Sequence, residues 1–192
     1  MRPLLRRFAI GLALTGGLAA CALRPPLAEP AAVERIAAPG FELEGRVAVR
    51  DGERSTAATI YWIHEGGDDA IDFLAPTGQV MGRLESDRGG ARLQLPGNRL
   101  READSLDALA GDLLGFELPV SRLRDWVQAV AGDGARVLRR DPQGRPALIS
   151  EQGWLIEYTA YADDSAEAPI RRLQARWGEL QLTLLVDHWL AR

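Results

Sequence analysis

Apolar and polar residues alternate along the chain from Phe41 onward. Phe41, Leu43, Gly45, Val47 and Val49 share one face, and Glu42, Glu44, Arg46, Ala48 and Arg50 the other. A period of two is that of a half-buried strand. Asp51-Gly52 makes a turn, and a second strand runs through Thr59–Ile63 until Gly66-Gly67 breaks it. A third runs through Ile71–Leu74 and stops at Pro76-Thr77-Gly78. Two more, Val80–Leu84 and Ala91–Leu95, are separated by Gly89-Gly90. The period then changes. Leu106, Leu109, Ala110 and Leu113 follow helical spacing, with Asp104 or Ser105 as N-cap and Gly115 as the stop. Leu123, Trp126, Val127 and Val130 repeat that spacing after Ser121, predicting a second helix that Gly132 closes, with Pro119 in the connection. Strands resume at Val137–Arg140, Ala147–Ser150, Trp154–Tyr161, Ile170–Arg176 and Leu180–Trp189. Asp141-Pro142-Gln143-Gly144 and Trp177-Gly178-Glu179 read as hairpin turns between them.

These elements predict a mainly β fold, one antiparallel sheet of about ten or eleven strands with two helices inserted midway. So wide a sheet curls, and its apolar face needs a cover. The simplest arrangement is an unclosed β-barrel with a helical lid over a hydrophobic cavity. Candidate lining residues are Phe41, Leu43, Val47, Val49, Ile60, Trp62 and Phe73 from the first run of strands, and Leu109, Leu113 and Trp126 from the helices. Trp154, Ile156, Tyr158 and Trp189 complete the set from the second run. Periodicity alone does not separate a filled interior from a hollow one.

The N-terminus has a different character. Arg2, Arg6 and Arg7 precede an apolar stretch from Phe8 to Leu18, and Ala19-Ala20 lead to Cys21. That is the layout of a secretory signal, too short to remain as a transmembrane helix. Leu18-Ala19-Ala20-Cys21 also resembles the lipobox of bacterial lipoproteins, in which the cysteine thiol is acylated and the peptide cut before it. Cys21 is the only cysteine, so an intrachain disulfide is excluded. Residues 1–20 are thus expected to be a signal peptide, 21–40 a lipidated and Pro/Ala-rich tether, and 41–192 the folded domain. Ala22 follows the cysteine where aspartate does not, which by analogy with enterobacterial sorting suits the outer membrane, facing the periplasm.

Composition narrows the functions. The chain carries 23 basic and 27 acidic residues, and the leader holds three of the basic ones, so the mature chain is acidic. That argues against nucleic acid as a partner. The two histidines, His64 and His188, have no metal-ligand company and read as polar strand-end residues. There is no Gly-x-Ser-x-Gly elbow, no zinc spacing and no phosphate-cradling glycine loop, so neither catalysis, a metal nor a cofactor is expected. Most carboxylates fall on outward faces. The informative excess is apolar and aromatic: five tryptophans, all in the mature region.

The run Phe41-Glu42-Leu43-Glu44-Gly45-Arg46-Val47-Ala48-Val49 resembles the first strand of the LolB family of outer-membrane lipoprotein receptors. The resemblance continues in order through Trp62, Pro76-Thr77-Gly78, Leu113-Leu114-Gly115, Leu118-Pro119-Val120 and Leu123-Arg124-Asp125-Trp126-Val127. Gly153-Trp154-Leu155-Ile156-Glu157-Tyr158 and Asp187-His188-Trp189 complete it, covering almost the whole mature domain. It implies an acceptor that takes acylated lipoproteins from a LolA-like periplasmic carrier and places them in the outer membrane, without consuming nucleotide. It also implies a protruding membrane-insertion loop at Pro76, Thr77 and Gly78. Thr77 is polar where the family has an apolar residue, leaving Val80 or Met81 as alternatives. A monomer suits a tethered acceptor. The competing readings are a structural or assembly lipoprotein acting through protein contacts, and a lipid-processing hydrolase, which the motif survey disfavours.

Replacing Cys21 by serine is expected to shift the chain from the outer-membrane fraction to the soluble periplasmic fraction. Acyl-chain binding by the domain is expected to persist. Membrane fractionation beside a lipopeptide-binding assay checks both halves.

Overall fold

A computed structural model describes residues 30–116 and 118–192; the signal peptide and Cys21 lie outside the described residues. Six strands come first: β1 (Gly40–Asp51), β2 (Arg54–Glu65), β3 (Asp68–Leu74), β4 (Val80–Asp87), β5 (Gly90–Leu95) and β6 (Arg99–Ala103). Two helices follow, α1 (Leu106–Leu114) and α2 (Val120–Trp126). Five strands finish the chain: β7 (Arg136–Arg140), β8 (Pro146–Glu151), β9 (Trp154–Tyr161), β10 (Ile170–Trp177) and β11 (Leu180–Ala191). All eleven form one antiparallel sheet in the order β6-β5-β4-β3-β2-β1-β11-β10-β9-β8-β7. The strand nearest each end of the sheet pairs on one side only, so the barrel is unclosed.

The order has a simple cause. Each run is a meander of hairpins, and the runs join where the first strand of one meets the last strand of the other. β1 pairs with β11 from Phe41↔Ala191 to Asp51↔Leu180, with a register shift at Glu44/Gly45. On β1 the alternation holds: Phe41, Leu43, Gly45, Val47 and Val49 are buried. The two edge strands have five residues each, RLREA and RVLRR. Short, arginine-bearing edges resist pairing with another chain.

Three expectations need correction. The sixth strand, β6, was not predicted; four of its five residues are exposed, so no alternation announces it. The second helix is shorter than its apolar spacing predicts. α2 ends at Trp126 because the chain turns, with Ala129 at φ 55° and the Val130 N–H donating to the Asp125 carbonyl. The stretch assigned to a tether reaching residue 40 is bound to the domain from Val33. The Val33 N–H donates to the Gly144 carbonyl at 2.9 Å. Arg35 donates to the carbonyls of Gln128, Ala166 and Ala168 at 2.9–3.0 Å, and the Ala38 N–H to the Gln128 side chain at 2.7 Å.

Gly45 occupies the bulge in the β1–β11 seam, and a Cβ there would lie 2.3 Å from the Leu185 carbonyl oxygen. Neither strand can retreat, because each is paired on both sides. Gly45→Ala is therefore expected to destabilise by about 1–3 kcal/mol, lowering Tm by roughly 3–10 °C. Thermal unfolding checks this.

Candidate functional site

The inward face of the sheet is mainly apolar, and the two helices lie across it. α1 starts at Ser105, whose side chain accepts from the Ala108 N–H, and stops at Gly115 in the left-handed region (φ 78°). Leu106, Leu109, Ala110 and Leu114 are its buried face, which packs on β4, β5 and β6. α2 has no side-chain cap of its own, since Pro119 stands at its N-cap. Asp107 of α1 supplies one, accepting from the Ser121 N–H and hydroxyl, both at 2.8 Å.

Beneath the helices lies a cavity walled by Val47, Ile60, Trp62, Ile71, Phe73, Leu114, Leu118, Val120, Leu123, Leu182 and Leu184. Every one of these side chains is apolar apart from the indole N–H. The cavity volume is about 30 Å³, against roughly 300–1,000 Å³ for a small-molecule site. With the helices in this position the interior is nearly filled.

Two buried carboxylates fasten α2 across this face. Asp69 on β3 has no exposed side-chain surface and pairs with Arg124 of α2. Its Oδ1 accepts from the Trp62 indole N–H at 2.9 Å and lies 2.9 Å from His64 Nδ1; its Oδ2 accepts from the Ser86 hydroxyl at 3.2 Å. Glu151 at the end of β8 is only 1% exposed and pairs with Arg122 of α2. It accepts from Arg122 Nε at 2.5 Å and from the Trp126 indole at 3.2 Å. β3 and β8 stand in opposite halves of the sheet, so a helix of seven residues bridges the concavity through its arginines. Each carboxylate collects several donors, which is what makes an ionised acid tolerable inside a protein.

The five tryptophans fall into two aromatic groups. Phe41 stacks on Trp189 with centroids 4.7 Å apart and meets Trp62 edge-on at 5.1 Å. Trp126 lies 5.4 Å from Trp154, which stacks on Trp177 at 6.2 Å. Tyr158 is buried with its hydroxyl unpartnered among the described residues, and burial pushes its phenol well above the usual range. It serves the interior as an apolar ring.

Of the lining residues expected from sequence, Val47, Ile60, Trp62 and Phe73 wall the cavity. Phe41, Leu43, Val49, Leu109, Trp126, Trp154, Ile156 and Tyr158 are buried in the same core around it, with Leu113 and Trp189 half-buried against it. Ile71, Leu114, Leu118, Val120, Leu123, Leu182 and Leu184 also wall the cavity and are not among the expected set. Nor are Asp69 and Glu151, because a carboxylate at a strand position reads as solvent-facing. His64, read as a polar strand-end residue, stands at the end of β2 and is buried there beside Asp69. The Pro76-Thr77-Gly78 loop is exposed and closed by the Ala75 N–H to Gln79 carbonyl bond at 2.8 Å. Val80 beside it is 56% exposed, and Met81 packs on the core. No group of His, Cys, Asp and Glu able to hold a metal occurs among the described residues.

Sheet, helices and apolar interior together define an unclosed β-barrel with a roofed hydrophobic face. The family model for the outer membrane lipoprotein LolB matches residues 39–189, and the chain belongs to the LolB family. It is 38% identical over 191 residues to the outer-membrane lipoprotein LolB of Azoarcus sp., covering 98% of both chains. It is 36% identical to that of Thiobacillus denitrificans, covering 96% of this chain and 98% of the relative. The Pseudomonas aeruginosa protein is 32% identical over 79% of this chain and 75% of its own. A domain from Vibrio parahaemolyticus, assigned as an outer membrane lipoprotein-sorting protein, shares the fold with a TM-score of 0.50 at 10% identity, covering 79% of this chain and 84% of that one. Family membership makes this protein an outer-membrane lipoprotein with a part in lipoprotein localisation.

Removing one member of a buried ion pair strands the other. Glu151→Gln is expected to cost about 3 kcal/mol, the low end for a buried pair because Arg122 keeps partial contact with water. Asp187→Asn breaks the Arg46–Asp187 pair, whose side chains are 60% and 41% exposed, and is expected to cost under about 1 kcal/mol. Urea denaturation of the two variants side by side checks the contrast.

Proposed function

We propose that this protein accepts acylated lipoproteins from a LolA-like periplasmic carrier and delivers them into the outer membrane, holding the acyl chains against the apolar face of the sheet. The observation that supports this most is the wall of the cavity, which offers no charged or hydroxyl side chain to a ligand. Such a surface suits hydrocarbon and nothing that needs polar recognition. A buried methylene is worth about 0.8 kcal/mol, so acyl chains cannot cross the periplasm unshielded. A lipid on Cys21 would keep the acceptor at the membrane where cargo is released. Val80 would supply the apolar contact beside the insertion loop in place of Thr77, since it is the exposed apolar residue there.

An interior with only about 30 Å³ of free space has no room for a chain until the helices move. Uptake therefore requires α2 to leave Asp69 or Glu151. The same observation favours the second reading, a solidly packed assembly lipoprotein that acts through its surface. The two readings separate in one mixing assay.

The soluble domain, made without Cys21, is expected to strip acylated cargo from the loaded carrier. Gel filtration or affinity pull-down measures the distribution. Cargo that stays wholly on the carrier, while the domain is folded, removes the acceptor reading and leaves the second.

A further inference from the structure

An open groove of about 690 Å³ runs between α1 and the opposite wall of the barrel. On one side stand Asp107, Ala108, Gly111 and Asp112 of α1, and on the other Trp154 and Trp177. α1 packs on β4, β5 and β6, whereas the two tryptophans belong to β9 and β10 in the other half of the sheet. The groove is thus the gap that the roof leaves on one side of the concavity. Leu118 lines both this groove and the closed cavity beneath the helices, so the two spaces meet at a shared wall residue.

The three indoles of one aromatic group mark a path along this side. Trp126 is 1% exposed, Trp154 7% and Trp177 56%, with successive centroids 5.4 and 6.2 Å apart. Core packing does not require a tryptophan more than half in water. Nor is Trp177 a loose surface ring: it stacks on Trp154 at 25°, and Gly153, at φ +87°, leaves space that a Cβ would take, 3.2 Å from the indole nitrogen. An aromatic ring fixed at the rim of a groove that borders an apolar interior is a contact for a flexible apolar chain.

We propose that this groove is the port through which a cargo acyl chain enters, lying first against Trp177 and Trp154 and passing Leu118 to reach the interior. The inference rests on the acceptor reading and adds a route to it. The occupant is a linear hydrocarbon chain. The groove shares Leu118 with a space whose walls are wholly apolar; its carboxylates, Asp107 and Asp112, stand on the α1 side and Gln152 at the turn, so Trp154 and Trp177 are the surface for the chain to lie on.

The test uses the full-length protein in phospholipid vesicles and a triacylated lipopeptide with a fluorescent acyl chain, added without carrier. Trp177→Ala is expected to slow uptake roughly two- to tenfold, the loss of one aromatic contact, with the final amount bound unchanged. Trp177→Phe is expected to restore most of the rate. Unchanged kinetics in Trp177→Ala overturn the port while leaving the acceptor reading intact. A defect that arises only when the carrier presents the lipopeptide overturns it too, making the groove a carrier-docking face. A fall in the final amount that phenylalanine does not restore overturns it as well, reducing Trp177 to a packing residue. If the wild-type protein takes up no lipopeptide by either route, the acceptor reading has failed and the port falls with it.

Discussion

A curled sheet that does not close leaves a broad apolar concavity, and the closed form of this molecule depends on how its cover is held. Packing supplies much of that hold, but packing is non-directional. The direction comes from Asp69 and Glu151, two carboxylates in opposite halves of the sheet that each take an arginine of α2 and a tryptophan indole. Such pairs add little net stability compared with a hydrophobic replacement, yet breaking one is costly because it leaves a buried charge uncompensated. They therefore define where the helix sits more than they deepen the fold. A cover fixed in this way has one well-defined closed position.

Much of this architecture was legible in the chain, because burial on one face imposes a period of two. Phe41 to Val49 alternate in the sequence and in the sheet, and the helical hairpin interrupts the strands where the period changes. What escaped has specific causes. β6 has no buried face, so its residues carry no pattern. α2 stops a turn early because the local backbone turns at Ala129, while the apolar spacing runs on through Val127 and Val130 to serve packing. The segment from Val33 to Pro39 reads as the end of a tether, because the stretch from Ala22 to Gly40 is rich in proline and alanine. Its attachment rests on Arg35 finding three backbone carbonyls far away in sequence. Asp69 and Glu151 escaped for a similar reason. A carboxylate is buried only when distant partners converge on it, and one sequence shows no convergence. Aromatic residues carried the better signal, though they could not say whether the interior was filled.

That the interior is filled bears directly on how an acceptor of this kind would work. Lifting the helices would expose Leu114, Leu118, Val120 and Leu123, all of which wall the cavity. At about 1.5–3 kcal/mol for each fully exposed side chain, opening costs up to about 6–12 kcal/mol before any charge is considered. Burying one acyl chain of about fifteen methylenes returns on the order of 12 kcal/mol at most. The two quantities are close, so on the proposed reading a single chain would roughly balance the loss of the closed interior. Further chains would decide the sign. Close balance is what a transfer step without nucleotide requires, because a deep well would retain its cargo. Self-packing of the interior would then set the affinity as much as the ligand contacts do. On the proposed reading the protein's own leucines would compete with the cargo, and would return to the cavity as each chain left for the bilayer.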